Sequence, residues 1–385
     1  MFERPEGIEN CRIWVDGCFD FAHHGHAGAM LQARQLGKEL YVGVHSDEDI
    51  LLNKGPVVMK LVERMTAVNA CKWSTRAIAG APYVTDPAVV KEHGCDYVVH
   101  GNDITSDANG EDCYKAVKDM GVFVVVRRTP NISTTDLVSR MLLVSKAHHF
   151  RVIRDASRVL EHELFADDAL DRFRMYALDE TGHAPHSAVL VYVDSAPSLT
   201  QVISASDAVQ TRMQRSVVYV DGGFDLFHPG HIEALRLVRE YADKSGLAVV
   251  VGLHDDHTIN EYKGMNYPIM SLFERSLCVL QCRFVDCILI GAPYVPTPDF
   301  LEKLPVPVDA VFHGATPIDQ RVYYRIQPLM RAIPAHKFDD MNTESIVNRV
   351  LENKAAYEER QRRKGWKSEV ERRIREEGLA RGAQS

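Results

Sequence analysis

The sequence predicts an α/β protein made of two tandem copies of one parallel-sheet domain. Three observations carry this expectation. The stretch Val15-Asp16-Gly17-Cys18-Phe19-Asp20-Phe21-Ala22-His23-His24-Gly25-His26 returns as Val220-Asp221-Gly222-Gly223-Phe224-Asp225-Leu226-Phe227-His228-Pro229-Gly230-His231. Each copy stands between an apolar run and an amphipathic run, the order of a strand, a tight glycine turn and a helix. Further apolar runs alternate with helix-like stretches, as in βαβ units whose ligands lie at the carboxyl ends of the strands.

Taken in order, Ile13-Trp14-Val15 is the first strand and Glu39 to His45 the second. Ala77 to Ala81, Asp96 to His100 and Val122 to Val126 supply further strands of the first copy. In the second copy Val217 to Val220 precedes a helix with Ile232, Leu235 and Val238 on one face, and Leu247 to His254, Val285 to Ile290 and Asp309 to His313 follow as strands. Landmarks pair throughout: Lys54-Gly55 with Lys263-Gly264, Glu63-Arg64 with Glu274-Arg275, and Ala81-Pro82-Tyr83 with Ala292-Pro293-Tyr294. The offset drifts only from 205 (His26 to His231) to 213 (His100 to His313), so short loop insertions separate two duplicated domains.

These landmarks divide the chain into an N-terminal domain at 1–145, a linker region at 146–214, a C-terminal domain at 215–350 and a charged helical tail at 351–385. Within the linker, Ala147 to Phe165 has a helix-like composition, while Gly182 to His186 and Ser195 to Ser206 are linker-like. His148, His149, His183 and His186 have no carboxylate or Cys cluster beside them, so solvated linker histidines are expected rather than a metal site. The tail alternates Glu with Arg and Lys, as in Glu358-Glu359-Arg360-Gln361-Arg362-Arg363-Lys364, the pattern of a solvated helix laced with i,i+4 pairs.

At 385 residues, with 45% hydrophobic and 25% charged residues, the chain has the composition of a globular protein with two ordinary domains. No apolar run is long enough to cross a bilayer and Met1 to Glu6 is too polar to open a secretory signal, so a cytoplasmic location is expected. A net charge of −8 argues against a nucleic-acid or anionic-membrane binder, so any phosphate recognition must come from local placement of basic residues. The eight Cys (11, 18, 71, 95, 113, 278, 282, 287) lack Cys-x-x-Cys spacing, which fits buried reduced thiols better than zinc ligands. Cys18 differs, since its place in the glycine turn points its backbone toward a ligand.

His-x-Gly-His at a helix start is suited to phosphate: the glycine lets a ligand approach the backbone, and free N–H groups and the helix dipole favour an anion. A second stretch, Arg127-Arg128-Thr129-Pro130-Asn131-Ile132-Ser133-Thr134-Thr135, follows a strand and adds an Arg fork and hydroxyls at the next helix start. Ser-Thr-Thr-Asp is also good N-capping sequence, and both uses are compatible.

These two elements resemble signatures of the nucleotidyltransferase superfamily, in the Gly-x-Phe-Asp-x-x-His-x-Gly-His and Arg-Thr-x-Gly-Ile-Ser-Thr-Thr forms of cytidylyltransferases. The second departs at Asn131, where the family has glycine; Asn tolerates the left-handed conformation better than most residues. The resemblance implies two Rossmann-like nucleotidyltransferase domains. It assigns catalysis to His23, His26, Lys54, Arg128, Ser133 and Thr134. It adds Gly17, Cys18, Phe19, Asp20, Gly25, Arg64, Asp103, Thr129, Ile132 and Thr135 as CTP contacts, with Lys54 on a mobile loop over the reacting phosphates. In the second copy it implies weaker nucleotide contacts from Gly223, Phe224, Asp225, His228, Gly230, His231, Lys263, Arg275 and Thr343. There the late motif has decayed to Met341-Asn342-Thr343-Glu344, and Glu344 would set a negative charge near phosphates. Turnover is therefore expected from the first copy alone.

With His100-Gly101-Asn102-Asp103-Ile104-Thr105 and Lys263-Gly264-x-Asn266-Tyr267-Pro268-Ile269-Met270, the duplication is similar to the tandem-domain cytidylyltransferases that act on phosphoethanolamine. CTP and phosphoethanolamine are then the partners, CDP-ethanolamine and pyrophosphate the products, and Mg²⁺ the cofactor, carried on the CTP phosphates rather than on protein ligands. No amine pocket is legible; Asp20 and Tyr83 are candidates. Rival readings are a choline-phosphate cytidylyltransferase, which the duplication disfavours, an aminoacyl-tRNA synthetase, which the acidic chain disfavours, and a CTP-binding regulator without turnover. The choline-phosphate family senses membranes with an amphipathic helix, but around Trp366 no sustained apolar face supports one. A homodimer is left open.

Overall fold

The computed structural model describes residues 4–362 apart from 103–104, 131, 144, 196, 305, 315–319, 358 and 360–361. The first copy builds a five-stranded, wholly parallel sheet from β1 (Arg12–Gly17), β2 (Glu39–His45), β3 (Arg76–Ala81), β4 (Tyr97–Gly101) and β5 (Phe123–Val126), in the order β3-β2-β1-β4-β5. Alternation along β1 sends Ile13 and Val15 into the main core and Trp14 into a smaller apolar cluster with Tyr83, Val98 and Tyr114. The strand order reverses at β1, where an open α/β sheet leaves a crevice at its carboxyl edge.

The second copy repeats this frame with β8 (Val217–Gly222), β9 (Ala248–Leu253), β10 (Cys287–Ile290), β11 (Val308–His313) and β12 (Met330–Ala332). Its sheet has two further strands, β6 (Ala188–Val193) and β7 (Ser198–Ile203), giving the order β12-β11-β8-β9-β10-β6-β7. β6 lies parallel to β10 and β7 antiparallel at the edge. The linker reading of 146–214 is therefore corrected. Ala188-Val189-Leu190-Val191-Tyr192-Val193 is buried at every position, the mark of a strand covered on both faces. Ala147 to Phe165 is likewise not an α-helix: it forms short 3-10 turns at Ala156–Glu161 and Glu163–Phe165, and α-helices follow at Ala169–Tyr176 and Asp207–Arg215.

The copies face one another about an approximate twofold axis. Helix Leu61–Ala70 packs on helix Pro229–Ser245, helix His24–Leu36 on helix Leu272–Leu280, and helices Thr134–Leu143 and Thr343–Glu352 on each other. Cys71 and Cys282 pair as an antiparallel bridge, flanked by Lys72 N–H to the Gln281 carbonyl and Arg283 N–H to the Ala70 carbonyl, each at 3.0 Å. One apolar core runs through both copies. Among the described residues no helix is long and apolar enough to cross a membrane.

Candidate active site at the end of the first strand

Beyond Gly17 the chain bends through two left-handed residues, Phe19 (φ 52°) and Phe21 (φ 51°), a conformation that costs a bulky residue energy and persists only where packing enforces it. The bend turns the Asp20 carboxylate inward, where its two oxygens accept the backbone N–H groups of Val58 (3.0 Å) and Met59 (2.9 Å). With both oxygens on that backbone, Asp20 pins the segment that follows Lys54, in place of the expected amine contact.

His23 caps helix His24–Leu36, its Nδ1 accepting the Gly25 N–H at 3.1 Å. That bond leaves the imidazole proton on Nε2 in the neutral ring. His23 Nε2 is buried without a hydrogen-bond partner, as is Nδ1 of His26. The two rings stack with centroids 4.0 Å apart, and the Phe19 ring meets His26 edge-on at 5.4 Å. Burial, reinforced by neighbouring histidines and the charges of Lys54 and Arg128, pushes His23 well below the usual imidazole range and His26 to about 3. Both rings are neutral at pH 7. Unsatisfied donors at a helix N-terminus fit a phosphate. Gly25 is obligatory for that fit, since a Cβ there would meet Ile132 Cγ2 at 2.7 Å and the His23 ring at 2.9 Å.

The late motif folds back over this turn. Thr129 Oγ1 donates to the Gly25 carbonyl (3.4 Å) and Thr134 Oγ1 to the Asp20 carbonyl (3.0 Å), while Ile132 is buried between them. Ser133 Oγ accepts the Asp136 N–H (3.2 Å) and donates to its carboxylate (2.7 Å), the capping use of this sequence. Thr135 lies in the first turn of helix Thr134–Leu143. Lys54 and Arg128 are exposed at the rim, Lys54 Nζ being 3.8 Å from Cys18 Sγ. His23, Gly25, His26, Lys54, Arg128, Thr129, Ile132 and Thr134 are thus gathered round one helix end.

Arg64 is not at the phosphate face. Its guanidinium is buried and donates to the carbonyls of Met59 (3.0 Å), Cys18 (2.7 Å) and His45 (2.8 Å) and to Asp47 (2.6 Å), so it ties the turn to the segment after Lys54. Asp103 and Asn131 lie outside the described residues.

The residue that sequence reasoning missed is Asp16. It stands on the same face of β1 as Trp14, 4% exposed, and accepts Trp14 Nε1–H (2.9 Å), Thr85 Oγ1–H (2.8 Å) and the Tyr114 hydroxyl (2.8 Å). Aromatic rings surround it: His45 against Tyr83 at 5.0 Å and His100 against Tyr114 at 4.6 Å. Burial and the Asp16 charge push the Tyr114 hydroxyl well above its usual range. A buried carboxylate in an aromatic setting suits an ammonium group. Its signal was the repeated Val-Asp-Gly, present at Asp16 and Asp221.

The second copy keeps this frame. Asp225 accepts Ile269 N–H and Met270 N–H (2.8 and 2.9 Å), Arg275 donates to Gly223, His254 and Met270 carbonyls and to Asp256, and Thr343 donates to the Asp225 carbonyl (3.1 Å). Its anion end differs. A Cβ at Gly230 would meet the carbonyl oxygens of Met341 (2.8 Å) and Phe338 (2.9 Å), acceptors that oppose a phosphate, and both nitrogens of His228 are buried without a partner.

The Cytidylyltransferase-like family model matches residues 14–140 and 219–356, one match per copy. Ethanolamine-phosphate cytidylyltransferase of Mus musculus is 40% identical over 368 residues, covering 92% of this chain and 89% of that one. The chain belongs to the ethanolamine-phosphate cytidylyltransferase family. The family's enzyme in Dictyostelium discoideum is 38% identical over 359 residues, covering 92% of this chain and 94% of that protein. Choline-phosphate cytidylyltransferase A of Mus musculus is also 40% identical, but over 142 residues, 36% of this chain and 37% of its own. The tandem repeat thus separates the ethanolamine-phosphate relatives from the choline-phosphate ones.

Proposed function

We propose that the N-terminal copy transfers CMP from CTP to phosphoethanolamine, giving CDP-ethanolamine and pyrophosphate. The observation that carries this reading is the pair of neutral, unpartnered imidazole nitrogens at the start of helix His24–Leu36, under the folded-back Arg128 to Thr134 segment.

The phosphoethanolamine oxygen needs no general base, because a phosphomonoester is already largely dianionic near pH 7, its second pKa being about 6. It attacks the α-phosphorus in line as the bond to pyrophosphate breaks. Catalysis then rests on placement and charge stabilisation. His23 Nε2–H and His26 donate to phosphate oxygens without a charge of their own. Lys54 and Arg128 supply the positive charge from the rim. Thr134 and Thr129 brace the turn rather than the ligand, and Asp16 receives the ammonium end, which fixes which phosphomonoester is held. Mg²⁺ carried on the triphosphate would offset phosphate charge there.

The test is product formation from CTP, Mg²⁺ and either phosphoethanolamine or phosphocholine, followed by pyrophosphate release. Preferential CDP-ethanolamine synthesis supports the reading. Preference for phosphocholine, or saturable CTP binding with no pyrophosphate, overturns it.

A further inference from the structure

The backbone of Val57 to Lys60, after Lys54, is held by side chains, two of which come from the far end of the chain. Asp20 takes the N–H groups of Val58 and Met59, Arg64 the Met59 carbonyl, and Glu63 the Lys60 N–H at 2.8 Å. The Val57 carbonyl accepts the Tyr357 hydroxyl at 3.0 Å, and the Val58 carbonyl accepts an Arg349 N–H at 3.4 Å. Arg349 also grips Glu63 with both arms of its fork, at 2.8 and 3.0 Å. Glu63 is 4% exposed and Tyr357 3% exposed, so neither contact is a loose surface pair.

The second copy shows what is general and what is special in this arrangement. At a constant offset of 209, Arg140 corresponds to Arg349 and His148 to Tyr357. Arg140 grips Glu274 at 2.6 and 2.9 Å and reaches the Ile269 carbonyl at 3.1 Å, while His148 and His149 place their Nε2 atoms 2.8 and 3.0 Å from the Pro268 carbonyl. Each copy therefore sends the helix after its late motif across to clamp the other copy's loop. The two histidines expected to be solvated are in fact part of that clamp.

We propose that Arg349 and Tyr357 are positioning residues of the N-terminal site: they fix the trailing end of the Lys54 loop so that the Lys54 ammonium returns to one place over the phosphates. This rests on the proposed cytidylyl transfer, and it gives the C-terminal copy a duty in catalysis that its own degraded anion end does not require. Neither residue touches substrate. Each acts through the backbone of Val57 to Lys60, three to six residues beyond Lys54. A loop anchored by one domain and loaded by another transmits domain docking directly into charge placement, where a 1 Å error costs rate.

The test uses the full chain, with Tyr357→Phe, Arg349→Lys and the double variant H148A/H149A, which loosens the corresponding clamp on the second copy. Hydrogen exchange of the amides of residues 55–60 is measured beside steady-state kinetics and thermal unfolding. Tyr357→Phe is expected to speed exchange in that segment and lower kcat about fivefold, the weight of one hydrogen bond, with KM for phosphoethanolamine unchanged. Arg349→Lys keeps the charge, loses the fork and lowers kcat further. H148A/H149A is expected to leave both readouts at wild-type values. Unchanged exchange in Tyr357→Phe and Arg349→Lys overturns the proposal, as does an equal kcat loss in H148A/H149A, which would mean general interdomain docking. If no variant or wild type turns over, faster exchange in Tyr357→Phe still upholds the clamp and the cytidylyl-transfer reading alone falls.

Discussion

His23 and His26 stack with ring centroids 4.0 Å apart, and His228 and His231 repeat the stack at 3.8 Å. The pairs differ in which ring a backbone N–H fixes: the Gly25 N–H bonds the leading His23 Nδ1 at 3.1 Å, whereas the His228 N–H bonds the trailing His231 Nδ1 at 3.4 Å and both nitrogens of His228 are without a hydrogen-bond partner. A leading ring with a fixed tautomer is a preorganised donor where the helix begins, and the second copy has none there. His26→Ala is therefore expected to reduce kcat about 10²–10³-fold, while His231→Ala largely spares it. Product formation by the two variants beside the unmutated chain decides the matter, and comparable losses from both would give the second site a share in turnover.

Asp16 meets three donors in the structure, but a carboxylate has room for more. Asp16→Asn keeps the shape and removes the charge. The expected result is a KM for phosphoethanolamine raised by about ten- to a hundredfold, the range of a hydrogen bond to a charged group, with KM for CTP little altered. Initial-rate measurements with each substrate varied check this; an equal rise in both constants would place Asp16 outside the amine site.

Acid should unfold the protein through its buried imidazoles. Burial holds His26 and His228 at about 3 and His24 and His254 at about 4, against 6.5 when exposed. Between those values the unfolded chain binds more protons than the folded one, so stability rises with pH there and is lost as pH falls below 6.5. At pH 5 each ring contributes a loss of up to about 2 kcal/mol relative to pH 7. Thermal unfolding between pH 7.5 and 5 should show a steep fall in midpoint, and His254→Gln, which lies away from the first copy's phosphate end, should soften it.

Lys72 follows the same sign in a more alkaline window. Its Nζ is buried without a hydrogen-bond partner at the seam between the copies, 5.5 Å from the centroid of the Trp73 ring, where the matching residue, Arg283, donates to the carbonyls of Cys71 and Ser74. Burial lowers the Lys72 amine to about 8. Lys72→Met removes a buried charge that has no hydrogen-bond partner and is expected to stabilise the fold by about 1–2 kcal/mol at pH 7. Because the folded amine loses its proton at lower pH than the unfolded one, wild-type stability rises from pH 8 upward and the advantage of the variant shrinks. Denaturant midpoints at pH 7 and 9.5 measure both effects.

Most strands of the first copy were legible because they are short runs of β-branched or aromatic residues bounded by turns, and the histidine motif because it recurs in the second copy. The strand Ala188–Val193 carried a signal of the same kind, yet it lies where the repeat is silent, so the region passed for a linker. The family resemblance put Arg64 among the CTP contacts. Burial settled its part, since a guanidinium with no exposure must spend its donors on nearby carbonyls.

By itself, then, the sequence determined the local chemistry: a duplicated strand-turn-helix, histidines at a helix start, hydroxyls and an Arg beyond a strand, and a second copy whose late motif has eroded. Those are properties of residue type and short spacing, which hydrogen-bonding capacity and backbone sterics translate into local structure. Only the tertiary structure decided what meets across long separations. It turned Asp20 to the segment after Lys54, set Asp16 among aromatic rings, and brought Arg349 and Tyr357 onto the first copy's loop. Such meetings depend on how two whole domains bury their apolar faces together, and no spacing within either repeat encodes them.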